Sequence, residues 1–225
     1  MSVLYTLDAN YSALTEAEAA ELVPVLGLGS GYLKAGMVVR GKLAGKVSKA
    51  EGPATARFMV VISPRNWAAS HVYAVGDRAT NDDLKEYICT AAGTSDSSGG
   101  PTGNGDEITD SGVTWGYVRQ APVLIDTHEI SLAEGEYTDA PWMLEFELHV
   151  RLSRDTGSTY HQWHPTVVST AQLRSPVIPA ALLLPAEGTY PVIVETDEDN
   201  VLHVLYQPEL ETGSITCMTY VLEVL

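Results

Sequence analysis

The chain is poor in positive charge: 13 Lys and Arg stand against 29 Asp and Glu, a formal net charge of −16 over 225 residues. A nucleic-acid partner calls for a basic face, so this balance argues against one. Cysteine is scarce, with only Cys89 and Cys217, on separate strand-like stretches and without CxxC spacing. Neither a disulfide framework nor a cysteine-based metal site is expected, and both residues read as buried free thiols. No apolar run approaches the roughly 20 residues that span a bilayer. Met1 to Leu4 leads into polar residues, without the basic start and apolar centre of a signal peptide. The expectation is a chain made in the cytoplasm and not inserted in a membrane. The phosphate-binding loop, the dinucleotide fingerprint and the Gly-x-Ser-x-Gly elbow are missing too. So are coiled-coil heptads and the repeats of a fibre shaft. With only two phenylalanines, a core has to be made mainly from Val, Leu, Ile, Tyr and Trp.

What is present is strand after strand. Leu144, Phe146, Leu148, Val150 and Leu152 alternate with Glu145, Glu147, His149 and Arg151, which gives a strand with one buried and one wet face. Over residues 37–47, Val39, Leu43 and Val47 share one face and Arg40, Lys42 and Lys46 the other. Residues 57–62, 122–125, 166–170, 201–206 and 215–225 read as further strands, and Val177-Ile178, bracketed by Pro176 and Pro179, as a crossing between sheets. The helix signal is a capping box, Thr15-Glu16-Ala17-Glu18, opening a short helix through Leu22 that Pro24 bounds. The expected fold is all-β: a β-sandwich of residues 1–65 and 120–225, with a jelly roll the favoured topology.

Charge divides unevenly along the chain. Residues 1–65 carry seven Lys and Arg against five Asp and Glu, residues 66–119 three against eight, and residues 120–225 three against sixteen. Arg40, Lys42 and Lys46 therefore predict either a solvated basic face or a surface that docks an acidic neighbour, a sister subunit or a larger assembly. Glu145 and Glu147 share a strand face as a glycosidase pair would, but in so acidic a chain they read as solvated charges. Asp197-Glu198-Asp199 lacks the spacing and glycine of a calcium loop. In His161-x-x-His164 a three-residue offset on a strand does not converge on a metal, and no third ligand is near. Neither catalytic residues, nor a metal, nor a cofactor is expected.

Residues 66–119 break the pattern. They run Trp67 … Tyr73-x-x-Gly76-Asp77 … Tyr87-x-Cys89-Thr90-x-Ala92-Gly93-Thr94-Ser95 … Asp110-x-Gly112-Val113-Thr114-Trp115, with a Gly- and Ser-rich loop from Thr94 to Gly105. Aromatics on short strands, a Gly-Asp turn and a loop without an apolar anchor describe a very small β-module. Its insertion in a loop of the larger domain requires its ends, near Arg65 and Gln120, to lie close together. This order and spacing resembles a module common in tailed-bacteriophage structural proteins, itself similar to the small chitin-binding domains appended to chitinases. Where those domains carry a tryptophan pair, this chain has Cys89-Thr90-Ala91-Ala92, and at the turn where they carry glycine it has Asn81-Asp82-Asp83.

The resemblance implies a virion structural protein, located in the particle: a head decoration or head-fibre protein that attaches through the sandwich and displays the module outward. The alternatives are a tail-fibre or baseplate adhesin and a free carbohydrate-binding protein. Implied partners are capsid or other virion proteins, further copies of the chain, and host-surface glycans. A trimer is expected, because capsid faces offer three-fold sites. Trp67, Tyr73, Tyr87 and Trp115 either offer ring faces to sugars or form the module's own core, since a domain this small has little else to bury.

Overall fold

The computed structural model describes residues 2–8, 20–21, 26–28, 33–82, 84–154, 163–178, 182–185, 192–193, 200–209 and 213–225. Two antiparallel sheets make the sandwich. In the larger, β4 (Val38–Lys49) lies between β14 (Tyr137–Arg154) and β19 (Gly213–Val224). Beyond β19 lies β1 (Ser2–Asp8); beyond β14 lie β15 (Trp163–Arg174) and, paired to it, β16 (Leu182–Pro185) and β17 (Val192–Ile193). In the smaller sheet β5 (Thr55–Pro64) pairs with β18 (Asn200–Glu209) on one side. On its other side it pairs with β12 (Val123–Asp126) and β13 (Ile130–Ser131). The outer edge of β18 carries β2 (Ala20–Glu21) and β3 (Leu26–Leu28).

The alternation read from the sequence positions these strands. Val39, Leu43 and Val47 on β4 and Leu144, Phe146 and Leu148 on β14 point into the core, opposite Phe58, Val60, Ile62, Leu202 and Val204 of the smaller sheet. Phe58 packs against both Trp142 and Tyr206, with ring centroids 5.3 and 5.1 Å away. The Phe146 ring occupies the place where a side chain at Gly41 would stand, 2.1 Å from an ideal Cβ. Val177 and Ile178 sit in a buried turn joined to the core, where Ala133 N donates to Val177 O at 2.7 Å. Cys89 and Cys217 are free and buried. Burial pushes the Cys217 thiol up to about 11 and raises that of Cys89.

The expected helix over residues 15–22 is not supported where the chain is described. Ala20–Glu21 is a strand paired with Leu205 and Tyr206, and residues 15–19 and 22 lie outside the described residues. Sheet-edge pairing decides the conformation at Ala20 and Glu21, against the local capping signal. His161 and Asp197 to Asp199 also lie outside the described residues.

Residues 66–119 form β6 (Val72–Tyr73), β7 (Arg78–Asn81), β8 (Lys85–Ala91), β9 (Gly93–Thr94), β10 (Ile108–Asp110) and β11 (Val113–Gln120). β10, β11, β8 and β7 make one sheet in that order, and β6 pairs β9. Among the described residues none of the six pairs with a strand of the sandwich. The segment occupies the connection between β5 and β12, which are antiparallel neighbours with Val61 opposite Val123. Its ends meet there, Pro122 O accepting from Ile62 N at 3.1 Å.

Candidate functional site

Two places carry the residues singled out in the sequence: the aromatic segment and the outer face of the larger sheet. In the first, the short strands bring Tyr73, Ala79, Tyr87, Cys89, Val113 and Trp115 into a core of their own, with Trp67, Ile108 and Tyr117 packed around it. Tyr73 is 1 % exposed and Tyr87 and Trp115 are 0 % exposed. A pyranose cannot stack on a ring without an open face, so these three take the core role and not the platform role. Trp67 is half-buried, and the backbone at Gly100 lies against its ring, an ideal Cβ there standing 2.8 Å from Cδ2.

The polar atoms of this core are satisfied by residues the pattern left without a role. Asp110 Oδ2 accepts from Trp67 Nε1 at 2.8 Å and from Trp115 Nε1 at 3.1 Å, and its Oδ1 accepts from Asp96 N at 2.9 Å. A single buried carboxylate thus fixes both indoles. Tyr73 meets Trp115 edge-on with centroids 4.7 Å apart, while its hydroxyl accepts from Ala68 N. Tyr87 donates to Gly103 O at 3.0 Å, and burial, then the nearby Asp82 charge, pushes its hydroxyl up to about 12. Gly93 and Gly112 cross so closely that a Cβ on Gly93 would stand 2.0 Å from Gly112 O. That contact accounts for the Ala-Gly-Thr-Ser and Asp-x-Gly-Val spacing.

The Gly- and Ser-rich loop is tied down by side chains of the β7–β8 turn. Asn81 Nδ2 donates to Gly99 O and Pro101 O at 2.9 and 3.0 Å. Asp82 Oδ2 accepts from Gly103 N at 2.9 Å and from Lys85 Nζ at 2.8 Å. These two contacts, the Gly103 amide foremost, hold the Asp82 carboxyl below its usual range. The same turn mounts the segment on the sandwich. Asp82 and Leu84 both adopt positive φ, 47° and 62°. Leu84 packs on Met59, Val61, Ala121 and Leu205, on the side of the smaller sheet that faces away from the main core. Ala121 N donates to Leu84 O at 2.9 Å, and Thr80 N to Arg65 O at 3.0 Å. Val72 and Val75, 70 % and 66 % exposed, are the most exposed large apolar side chains among the described residues.

On the outer face of the larger sheet, Arg40, Lys42 and Lys46 do project from β4, but acids of the adjacent β14 meet them. Arg40 Nε and Nη2 donate to Glu147 Oε1 at 2.9 and 2.5 Å. Lys42 pairs with Glu145 and Lys46 with Asp139, each at 3.0 Å. The Arg40 guanidinium, with His149 Nε2 at 3.1 Å from Oε2, holds the Glu147 carboxyl below its usual range. Two shallow hollows lie along this ladder, one of about 610 Å³ over the Arg40–Glu147 and Lys42–Glu145 rungs and one of about 810 Å³ beside Lys46, Asp139, Met143 and Met218. Among the described residues no group of three His, Cys, Asp or Glu is placed to hold a metal.

Compared with known proteins, the chain matches no protein-family model and no curated protein.

Proposed function

We propose that the protein is a bacteriophage virion structural protein, a head decoration or head-fibre protein whose sandwich attaches to the particle while residues 66–119 project from it as an inserted domain. The observation that carries this reading is the place of that segment. A unit with its own sheets and core fills the connection of a single hairpin, β5 to β12, so it adds to the sandwich without entering either main sheet. Its pattern is the phage-module resemblance, and the residues that make up the pattern are those that hold its fold together.

The jelly-roll reading draws support from strand order. With β2 and β3 taken as one strand and β12 and β13 as another, the sheets run β1-β19-β4-β14 and β2/β3-β18-β5-β12/β13. Numbered in chain order, those eight strands are 1-8-3-6 and 2-7-4-5, the order that two interlocked Greek keys produce. The inserted segment then lies between the fourth and fifth strands, and β15 to β17 extend the edge of the first sheet.

Labelling settles the location directly. Antibody against the purified chain, applied to particles produced from the genome that encodes it, is expected to decorate the heads. Labelled tail tips move the protein to the adhesin class, and unlabelled particles contradict the virion reading.

A further inference from the structure

We propose that the outer face of the larger sheet is a two-fold contact between two copies of this chain, β4 of each lying across β14 of the other. The register on this face pairs Arg40 with Glu147, Lys42 with Glu145 and Ala44 with Met143. A half-turn about an axis parallel to these strands, in the interface and midway between them, exchanges β4 and β14 without sliding either. Arg40 of one copy then faces Glu147 of the other, and Lys42 faces Glu145. Met143 comes down over Ala44, the smallest side chain on the outer face of β4, so a knob meets a gap. The flanking strands add no like-charge contact: by the same register Glu223 faces Thr170 and Thr219 faces Arg174.

The occupant follows from this self-complementarity. A half-turn about an in-plane axis across the strands would lay β4 on β4, base on base. The parallel axis satisfies charge and shape together, as an isologous contact requires. The chain as a whole is strongly acidic, yet the ladder matches three bases with three acids, so copies do not repel one another through it. The hollows of about 610 and 810 Å³ on either half of the face are space into which the long side chains of a second copy fit. This contact takes the place of the three-fold association expected from capsid geometry.

Sedimentation velocity on the full chain and three variants tests it. Wild type is expected to be a dimer that loosens as salt rises. Arg40→Glu with Lys42→Glu makes the two central rungs wholly acidic, and Glu145→Lys with Glu147→Lys makes them wholly basic. Each is expected to lose self-association by about a hundredfold or more, since like charges then meet across the contact. Mixed in equal amounts, the two are expected to form a heterodimer. All four positions are surface ion pairs of small net worth to folding, which circular dichroism checks. Ala44→Arg, which breaks no ion pair, is expected to abolish the dimer by filling the gap beneath Met143. A monomeric or trimeric wild type, variants that dimerise undiminished, or a mixture that stays monomeric each overturn the proposal. It takes from the virion reading only that the sandwich is the assembling part. A monomeric wild type that still labels particles would sink the two-fold contact alone, and a dimer absent from particles the virion reading alone.

Discussion

At the scale of single residues, Asp110 decides how the aromatic segment holds together, because two indole N–H groups, one buried and one half-buried, depend on one of its oxygens. Asp110→Ala strands both donors and is expected to destabilise the segment by about 2–4 kcal/mol. Asp110→Asn, which keeps an acceptor oxygen, is expected to cost less. Urea unfolding followed by tryptophan fluorescence measures both, and equal losses would contradict the account. Asp82 sets a pH dependence. Its folded pKa is lowered, first by the Gly103 amide and then by Lys85. Its contribution is therefore fully present above the unfolded value of about 4, and is lost as pH falls through the folded value. Protection of the Gly103 amide, its exchange measured against that of an unprotected amide at the same pH, is expected to fall over that window, and Asp82→Asn to remove most of that change. The aromatic positions were legible in the sequence, but which rings lie inside was not: Tyr73 stands on a strand of two residues, too short for alternation to assign a face, and burial along β8 and β11, which carry Tyr87 and Trp115, does not alternate. The partner of Trp67 stands 43 residues further on, beyond the reach of any local pattern.

At the scale of elements, the β7–β8 turn is the joint. The resemblance to small chitin-binding domains leads one to expect a glycine there. This chain instead places Asp82 and Leu84 in left-handed backbone and uses the Leu84 side chain to grip the smaller sheet. A leucine in that conformation is strained, and its contact with Met59, Val61, Ala121 and Leu205 offsets the strain. Leu84→Asp is expected to release the segment without unfolding it: NMR relaxation should report faster, independent tumbling of residues 66–119 while the sandwich resonances stay put. Global loss of dispersion would contradict a separate core. The long strands β4 and β14 were readable because each keeps a two-residue period over most of its length, although in β14 it breaks at Leu152, which was expected on the buried face and is 53 % exposed. That period also placed Arg40, Lys42 and Lys46 on the wet face, but it could not give their partners. The ladder to Asp139, Glu145 and Glu147 depends on which strand lies next to which, and strands about a hundred residues apart meet by topology. The same blindness to pairing produced the helix expected at Ala20 and Glu21.

At the scale of the whole molecule, two cores separate the work. The sandwich buries the larger cluster between its sheets, and residues 66–119 keep their own. Phe58, between Trp142 and Tyr206, anchors the larger one. Phe58→Ala is expected to cost about 3–5 kcal/mol in the sandwich transition, with the tryptophan signal of the segment changed far less. The fold class was legible because nearly every apolar run keeps a strand period, whereas the proposed function rests on where the inserted segment is carried. The direct measurement is occupancy on particles assembled without the protein, for the full chain and for a chain in which a short turn joining Arg65 to Gln120 replaces residues 66–119. Equal occupancy is the predicted result, because the proposal assigns attachment to the sandwich alone. A shortened chain that folds but leaves the particles bare would contradict the account, because attachment would then reside in the segment taken to project from them.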